Sequence, residues 1–360
     1  MKKTLIAFAV AAAFASAASA ASFKAGTYTA TAPGIHGDVT VEVTFTADKL
    51  ADIKVTKQSE TVGIGSKAVE RLPGRMVAAQ SPAVDGVTGA TITTEAIRKA
   101  VSDCVKQAGV DPANLVPLAV KKTGGQKTLE TDMVVVGGGG SGMSATIRGR
   151  MNGMNVILVE KMPYIGGAAA ISGGQVVAQG SKLQKAFGST EDSPESMIKD
   201  FMANGHNLND PAKISLYANN VGATIDWLHE KVGVKFIPND LPFLAEYSHR
   251  RALEFEGGAK TMAQHLREVI AGNGAQVLYS TRVEKLLQDK DGRVIGVEAT
   301  DDNGVKYTIK SKATLLTTGG FGNNKDMLVE PIKSTLYYGP VSSTGDGHRM
   351  AMELGAKTQL

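Results

Sequence analysis

Two short glycine-rich stretches hold the residues whose types and spacing suit them to chemistry. The first, Gly137-Gly138-Gly139-Gly140-Ser141-Gly142, is a Gly-x-Gly-x-x-Gly that follows the apolar run Met133-Val134-Val135-Val136 and opens a helical stretch. In such a turn Gly137 permits the tight bend, Gly139 lets a pyrophosphate approach the backbone, and Gly142 allows helix to pack closely on strand. The phosphate charge then meets the unpaired N–H groups at the helix start. Glu160 ends the next strand, eighteen residues after Gly142. Its carboxylate is suited to accept hydrogen bonds from an adenosine ribose and to repel a 2′-phosphate, so the ligand is NAD or FAD rather than an NADP-type molecule. The second stretch is Asp85-Gly86-Val87-Thr88-Gly89-Ala90-Thr91. Its two glycines let the backbone come close to a ligand, and Thr91 presents a hydroxyl just before a helix start, where an anion is welcome. On spacing alone, a plain glycine-rich turn capped by threonine is an equal reading.

Composition removes several other chemistries. The single cysteine, Cys104, excludes an internal disulfide, a Cys-x-x-Cys-His haem site and a multi-cysteine metal cluster. The six histidines (36, 206, 229, 249, 265 and 348) include no pair at ligand spacing, so no metal is expected. The formal charge of +4 falls to +2 once Lys2 and Lys3 are removed, and no Lys/Arg block is present, so neither nucleic acid nor an acidic membrane is implied as a partner.

The elements that must position these residues follow from periodicity. Lys2-Lys3, the apolar Leu5–Ala15 and Ala18-Ser19-Ala20 read as a secretory signal, residues 1–20, cleaved after Ala20, which predicts a periplasmic address. Residues 22–110 form one unit: Val39, Val41, Val43 and Phe45 alternate with polar residues as in a half-buried strand. Ala47-Asp48-Lys49 turns, and Ile53-Lys54-Val55 returns as the second strand of a hairpin. After a glycine-rich loop, Ile97, Ala100, Val101, Cys104 and Val105 recur at helical spacing. Thr93 or Thr94 is expected to cap that helix, Glu95 suits its dipole, and Cys104 reads as a small core residue. Residues 111–128, with Pro112, Pro117, Lys121-Lys122 and Gly124-Gly125, read as a linker. Beyond it the pattern is α/β: a buried strand at 133–136, a helix from Met143 to Met151 and a strand at 156–159. Helix starts are expected at Ser193-Pro194 and Asp210-Pro211, with Ile214, Ala218, Val221, Ile225 and Leu228 on one face of the second. Strands at 293–297 and 314–317 are marked off by the Asp289–Gly292 and Asp301–Gly304 turns.

Further motifs then carry a resemblance. Glu160-Lys161-Met162-Pro163-Tyr164-Ile165-Gly166-Gly167 and Ser172-Gly173-Gly174, with Thr317-Thr318-Gly319-Gly320-Phe321, Thr344-Gly345-Asp346-Gly347 and Arg282-Val283-Glu284, resemble the FAD-binding domain of the succinate dehydrogenase and fumarate reductase flavoproteins. The resemblance covers residues 129–360, and it implies a Rossmann-like α/β domain holding non-covalent FAD. The positions it assigns to that cofactor are Gly137, Gly139, Ser141, Gly142, Glu160, Lys161, Gly167, Ala168, Ser172, Gly173, Gly174, Val283, Thr318, Gly319, Gly320 and Asp346. Ala168 departs from the family, where many members have Asn, which removes one polar contact.

The stretch ending at Thr91 resembles the site where a flavin transferase joins FMN by a phosphoester, and Ser59-Glu60-Thr61-Val62-Gly63-Ile64-Gly65 resembles the other loop of that α+β FMN-binding domain. The order signal, FMN domain, FAD domain looks like the periplasmic reductases related to flavocytochrome c, fumarate reductase and urocanate reductase. That implies hydride transfer from FAD to a small α,β-unsaturated carboxylate, with FMN relaying electrons from a membrane or periplasmic donor. The family's substrate-gripping and proton-donating residues, in a capping domain and the final FAD segment, lie past the point matching Leu360, so no catalytic residue is assigned and a fragment is expected. Ser248-His249-Arg250 matches a family segment outside the catalytic set, and His348 reads as a helix residue. The alternative is an FMN/FAD electron-transfer module, or half of a split reductase, without substrate chemistry of its own.

Overall fold

The alternation from Val39 to Phe45 is realised as the middle of a three-stranded antiparallel sheet. In the computed structural model the described residues are 22–60, 65–87, 90–118 and 124–358. They fall into two units, Met1–Thr61 with Ala68–Val120 and Val62–Lys67 with Lys121–Leu360. The expected signal, residues 61–64 of the second FMN loop, Thr88-Gly89, Lys121-Lys122 and Leu360 lie outside the described residues.

In the first unit β1 (Gly26–Pro33), β2 (Asp38–Phe45) and β3 (Leu50–Lys57) lie in the order β1-β2-β3. Val39, Val41, Val43 and Phe45 are buried. The segment expected to be only a glycine-rich loop contains a helix, α1 (Gly65–Ala79), which buries Ala68, Leu72, Met76 and Ala79. Pro73 and Gly74 inside it disfavour a helix by about 3 and about 1 kcal/mol. Burial of Leu72 and Met76 contributes about 3–6 kcal/mol, enough to offset a cost of that size. Helix α2 (Thr91–Gln107) turns Ile97, Ala100, Val101, Cys104 and Val105 inward, as expected. Its start differs from expectation. Ala90 is the N-cap and no side chain caps it. Thr93 and Thr94 cannot cap because they already lie inside the helix, buried and bonded elsewhere.

In the second unit the chain runs β4 (Gln126–Val136), α3 (Gly140–Met151), β5 (Val156–Val159), β6 (Gln175–Val177), α4 (Lys182–Ala186), α5 (Pro194–Asn204) and α6 (Pro211–Trp227). It continues through β7 (Ala252–Glu254), α7 (Gly258–Gly272), β8 (Gln276–Leu278), β9 (Thr281–Gln288), β10 (Val294–Asp301), β11 (Lys306–Leu316) and α8 (Asp346–Glu353). The main sheet has the order β8-β5-β4-β11-β10-β9; its first four strands are parallel, and β10 and β9 are antiparallel additions. β6 and β7 form a separate pair. Both proline-marked helix starts are present: Ser193 accepts from Ser196 N–H, and Asp210 from the Ala212 and Lys213 N–H groups. Ala218, Val221 and Ile225 form the buried stripe of α6. Apolar clusters cover both faces of the sheet, one with Val135, Leu158, Met143 and Ile147, the other with Val134, Val136, Val159 and Val297. Parallel strands buried on both faces require such continuous apolar runs. Their carboxyl ends, Val136, Val159 and Leu316, open together at one edge, where ligands of such sheets bind.

Candidate functional site

The turn after β4 is held by backbone groups from every neighbour. Gly137 N–H donates to Val159 O (2.8 Å), Thr317 N–H donates to Val136 O (2.8 Å), and Gly166 N–H donates to Gly138 O (2.7 Å). The Thr317 hydroxyl sits 2.7 Å from Gly137 O and 3.0 Å from Val136 O. Gly137 has φ +101°, and a Cβ there would lie 2.5 Å from Thr317 O. A Cβ on Gly142 would lie 1.9 Å from Gly137 O. By contrast, a Cβ on Gly139 would meet nothing within 4 Å. The two outer glycines are therefore demanded by packing, whereas the Cβ side of Gly139 faces open space, as a backbone–pyrophosphate approach requires.

That space is part of a cavity of about 470 Å³. Twelve of the expected FAD positions line it: Gly137, Gly139, Ser141, Glu160, Lys161, Gly167, Ala168, Val283, Thr318, Gly319, Gly320 and Asp346. The first turn of α3 borders it with Gly140 and Ser141, whose N–H groups have no partner within the helix. Gly142 stands behind the turn, and Ser172, Gly173 and Gly174 lie off the cavity lining. The Ser172 hydroxyl donates to Ala169 O (3.0 Å), and a Cβ on Gly174 would lie 2.8 Å from Ala259 N. Thr91 belongs to the first unit. The lining also includes Ala169, Thr281, Arg282, Ser342 and Ser343. Arg282 lies inside a quoted motif, and Ala169, Thr281 and Ser343 each sit one residue from a residue singled out in the sequence, which was the available signal.

Glu160 is 8% exposed. Its Oε2 accepts from Gly138 N–H and its Oε1 from Met162 N–H, each at 2.7 Å. Burial drives its carboxyl above the usual range, against those two hydrogen bonds, which pull it down. The carboxylate thus shapes the glycine turn, and each oxygen keeps a lone pair for a ribose hydroxyl.

Asp346, at the start of α8, gathers cations from distant parts of the chain. Lys161 Nζ donates to Asp346 Oδ2 (2.9 Å) and to Thr344 Oγ1 (2.6 Å). Arg282 donates to both oxygens (3.0 and 3.2 Å) and Arg349 to Oδ1 (2.8 Å). Burial alone would raise the Asp346 carboxyl, but the Lys161 hydrogen bond and charge, with the Arg282 charge, hold it below the usual range. Three cations around one carboxylate leave positive charge at the cavity edge, suited to an anionic ligand.

His249 and Arg250 line a different cavity of about 620 Å³. His249 Nδ1 sits 2.9 Å from Ser248 Oγ and 3.1 Å from Ser196 Oγ, and Arg250 donates to Leu241 O (2.9 Å). His348 lies on α8, edge-on to Phe321. Among the described residues no cluster of His, Cys, Asp and Glu could hold a metal ion, and no helix is long and apolar enough to cross a membrane.

The family model described as FAD binding domain matches residues 132–360, 229 of the 360 residues. The chain belongs to that family. A second model, FMN-binding domain, matches residues 34–106, so an FMN-binding domain precedes the FAD-binding domain. Urocanate reductase of Eggerthella lenta is 34% identical over 348 residues, covering 94% of this chain and 57% of its own length. NADH:fumarate oxidoreductase of Klebsiella pneumoniae is 28% identical over 345 residues, 94% of this chain and 36% of its own length. Among solved structures, the open conformation of a flavocytochrome c3 fumarate reductase superposes with a TM-score of 0.60 at 33% identity, over 64% of this chain and 41% of that one. The chain thus spans roughly a third to three fifths of the length of these relatives. The resemblance read from the glycine motifs is borne out, and the fold is the expected pairing of an α+β unit with a Rossmann-like one.

Proposed function

We propose that the chain is the two-flavin portion of an exported reductase of small α,β-unsaturated carboxylates of the fumarate or urocanate type. The observation that carries this reading is the preformed glycine cradle, with Gly139 open to the cavity and twelve expected FAD positions on its walls. Gly139, Gly140 and Ser141 would hold the pyrophosphate, Glu160 the adenosine ribose, Val283 the adenine, and Lys161, Gly167, Ala168, Thr318, Gly319, Gly320 and Asp346 the remaining walls. Gly142 supports the turn from behind, and Ser172, Gly173 and Gly174 stand next to the lining. Bound there, FAD supplies the two-electron hydride chemistry of the reaction.

Thr91 is the attachment point for FMN. Its hydroxyl displaces a nucleoside monophosphate from a flavin dinucleotide; the Thr91 O–P bond forms, the phosphoanhydride P–O bond breaks, and the hydroxyl proton leaves with the transferase base. Thr91 is exposed and is the first residue of α2, as a group open to a transferase must be. Covalent attachment suits a periplasmic protein, because a released cofactor could not be recovered there. The electron donor is a membrane or periplasmic carrier.

A second reading, an electron-transfer module without substrate chemistry, is favoured by one observation. Each charged group on the cavity lining is already engaged: Glu160 with backbone N–H groups, and Lys161, Arg282 and Asp346 with one another. Turnover in a reduced-dye assay with fumarate, urocanate or an acrylate-type acid would exclude the second reading. The isolated chain is expected to give no acid-dependent oxidation, and turnover would refute the absence of a catalytic residue.

A further inference from the structure

Glu60 is a buried carboxylate in the first unit, 5% exposed, with no place in the FAD cavity. Its Oε1 accepts from Ile35 N–H (2.9 Å), in the turn between β1 and β2. Its Oε2 accepts from the Thr93 hydroxyl, in the first turn of α2, and the Glu60 N–H donates to Gln58 Oε1 (2.7 Å). A Cβ on Gly34 would lie 2.1 Å from Oε1, so that glycine leaves room for the carboxylate. One side chain therefore joins the loop after β3, the β1–β2 turn and the start of α2, two residues from Thr91. The opposite side of the same helical turn is tied as well. Thr94 Oγ1 accepts from Val87 N–H (3.2 Å) and Ala90 N–H donates to Val87 O (2.9 Å).

These bonds stand where a side-chain cap would, and they are chemically unlike one. A cap satisfies N–H groups of its own helix. The Glu60 and Thr93 groups instead fix the helix start against two other segments. Burying a carboxylate is expensive unless every bond it makes is well placed, and an apolar pair would pack the same space without that cost. What the carboxylate adds is register: Thr93 is drawn inward, and Thr91, about half a turn of helix away, is left on the surface.

We propose that Glu60 is a positioning residue for flavin attachment: through Thr93 and Ile35 it fixes the first turn of α2 so that the Thr91 hydroxyl meets the transferase in one orientation. This rests on the reading that Thr91 carries FMN. The test follows FMN incorporation into the purified full chain with its transferase and a flavin dinucleotide, by peptide mass, alongside the thermal melt of each variant. Thr93→Val keeps the volume and removes the hydroxyl; it and Glu60→Gln are expected to lower the rate of FMN incorporation about tenfold or more while the melt stays cooperative, and Thr93→Ser is expected to recover most of it. Should Glu60→Gln fail to fold, the Thr93→Val and Thr93→Ser pair carries the test. Incorporation at the wild-type rate in a folded Thr93→Val would overturn the proposal and leave the attachment at Thr91 standing. A wild-type chain without FMN on its Thr91 peptide overturns both.

Discussion

On the proposed reading, the cradle around Gly139 and the segment around Thr91 solve the same problem, holding a flavin phosphate near a helix start, by opposite means. In the cradle the work is done by backbone: three parallel strand ends, a glycine turn with both outer glycines wedged against carbonyls, and Glu160 bonded to two N–H groups. At Thr91 it rests on side chains, with Glu60 and Thr93 fixing one hydroxyl on the surface. A cofactor held without a bond needs a complete enclosure before it arrives. A cofactor joined by a bond needs only one atom presented well. The first design should fail abruptly when a methyl group is added, the second when a single oxygen is removed.

The sharpest way to break this contrast is Gly142→Ala. The new methyl carbon falls 1.9 Å from Gly137 O, so the turn must move, at a cost of about 1–3 kcal/mol or more. Loss of nearly all releasable FAD is expected, with the Thr91 peptide still modified; flavin analysis of precipitate and supernatant reads both at once. Thr91→Ala is the converse, abolishing covalent FMN while FAD retention stays at the wild-type level.

A smaller effect is expected at Asp346. Its folded carboxyl titrates below the ordinary value, so its contribution is present in full above the unfolded pKa of about 3.9 and is lost as pH falls through the lower folded value. The melting temperature of Asp346→Asn should therefore lie below wild type at pH 7 and converge with it in acid; a gap that persists undiminished there would separate Asp346 from the cation cluster. The smallest effect concerns Cys104. Burial pushes its thiol up to about 11, so an alkylating reagent should leave it unmodified at neutral pH in the folded chain, and modification without unfolding would place the α2 face elsewhere.

The same two regions show what a sequence can disclose. The cradle was legible because its requirements are local: an apolar strand, glycines at fixed spacing and an acidic residue at the next strand end. Even there the motifs brought together only part of the lining. Lys161 meets Asp346 across 185 positions, and Glu160 spends two hydrogen bonds on its own turn. Neither contact has a local signature. In the first unit the hairpin and the α2 face followed from periodicity, whereas β1 was hidden by its run of threonines. Helix α1 was obscured by Pro73 and Gly74, although Ala68, Leu72, Met76 and Ala79 keep helical spacing. Thr93 and Thr94 had the right chemistry for a cap, but long-range bonds to Glu60 and Val87 draw them into the helix interior, a tertiary effect that a local rule does not contain.

The central claim is that one chain holds two flavins in two different ways. Acid precipitation of the purified protein, followed by identification of the flavin in the supernatant and mass analysis of the peptides in the precipitate, tests it most directly. FAD is expected free in the supernatant, and one FMN mass is expected on the peptide containing Thr91. Finding FMN in the supernatant and an unmodified Thr91 peptide, with the transferase present, would contradict the account.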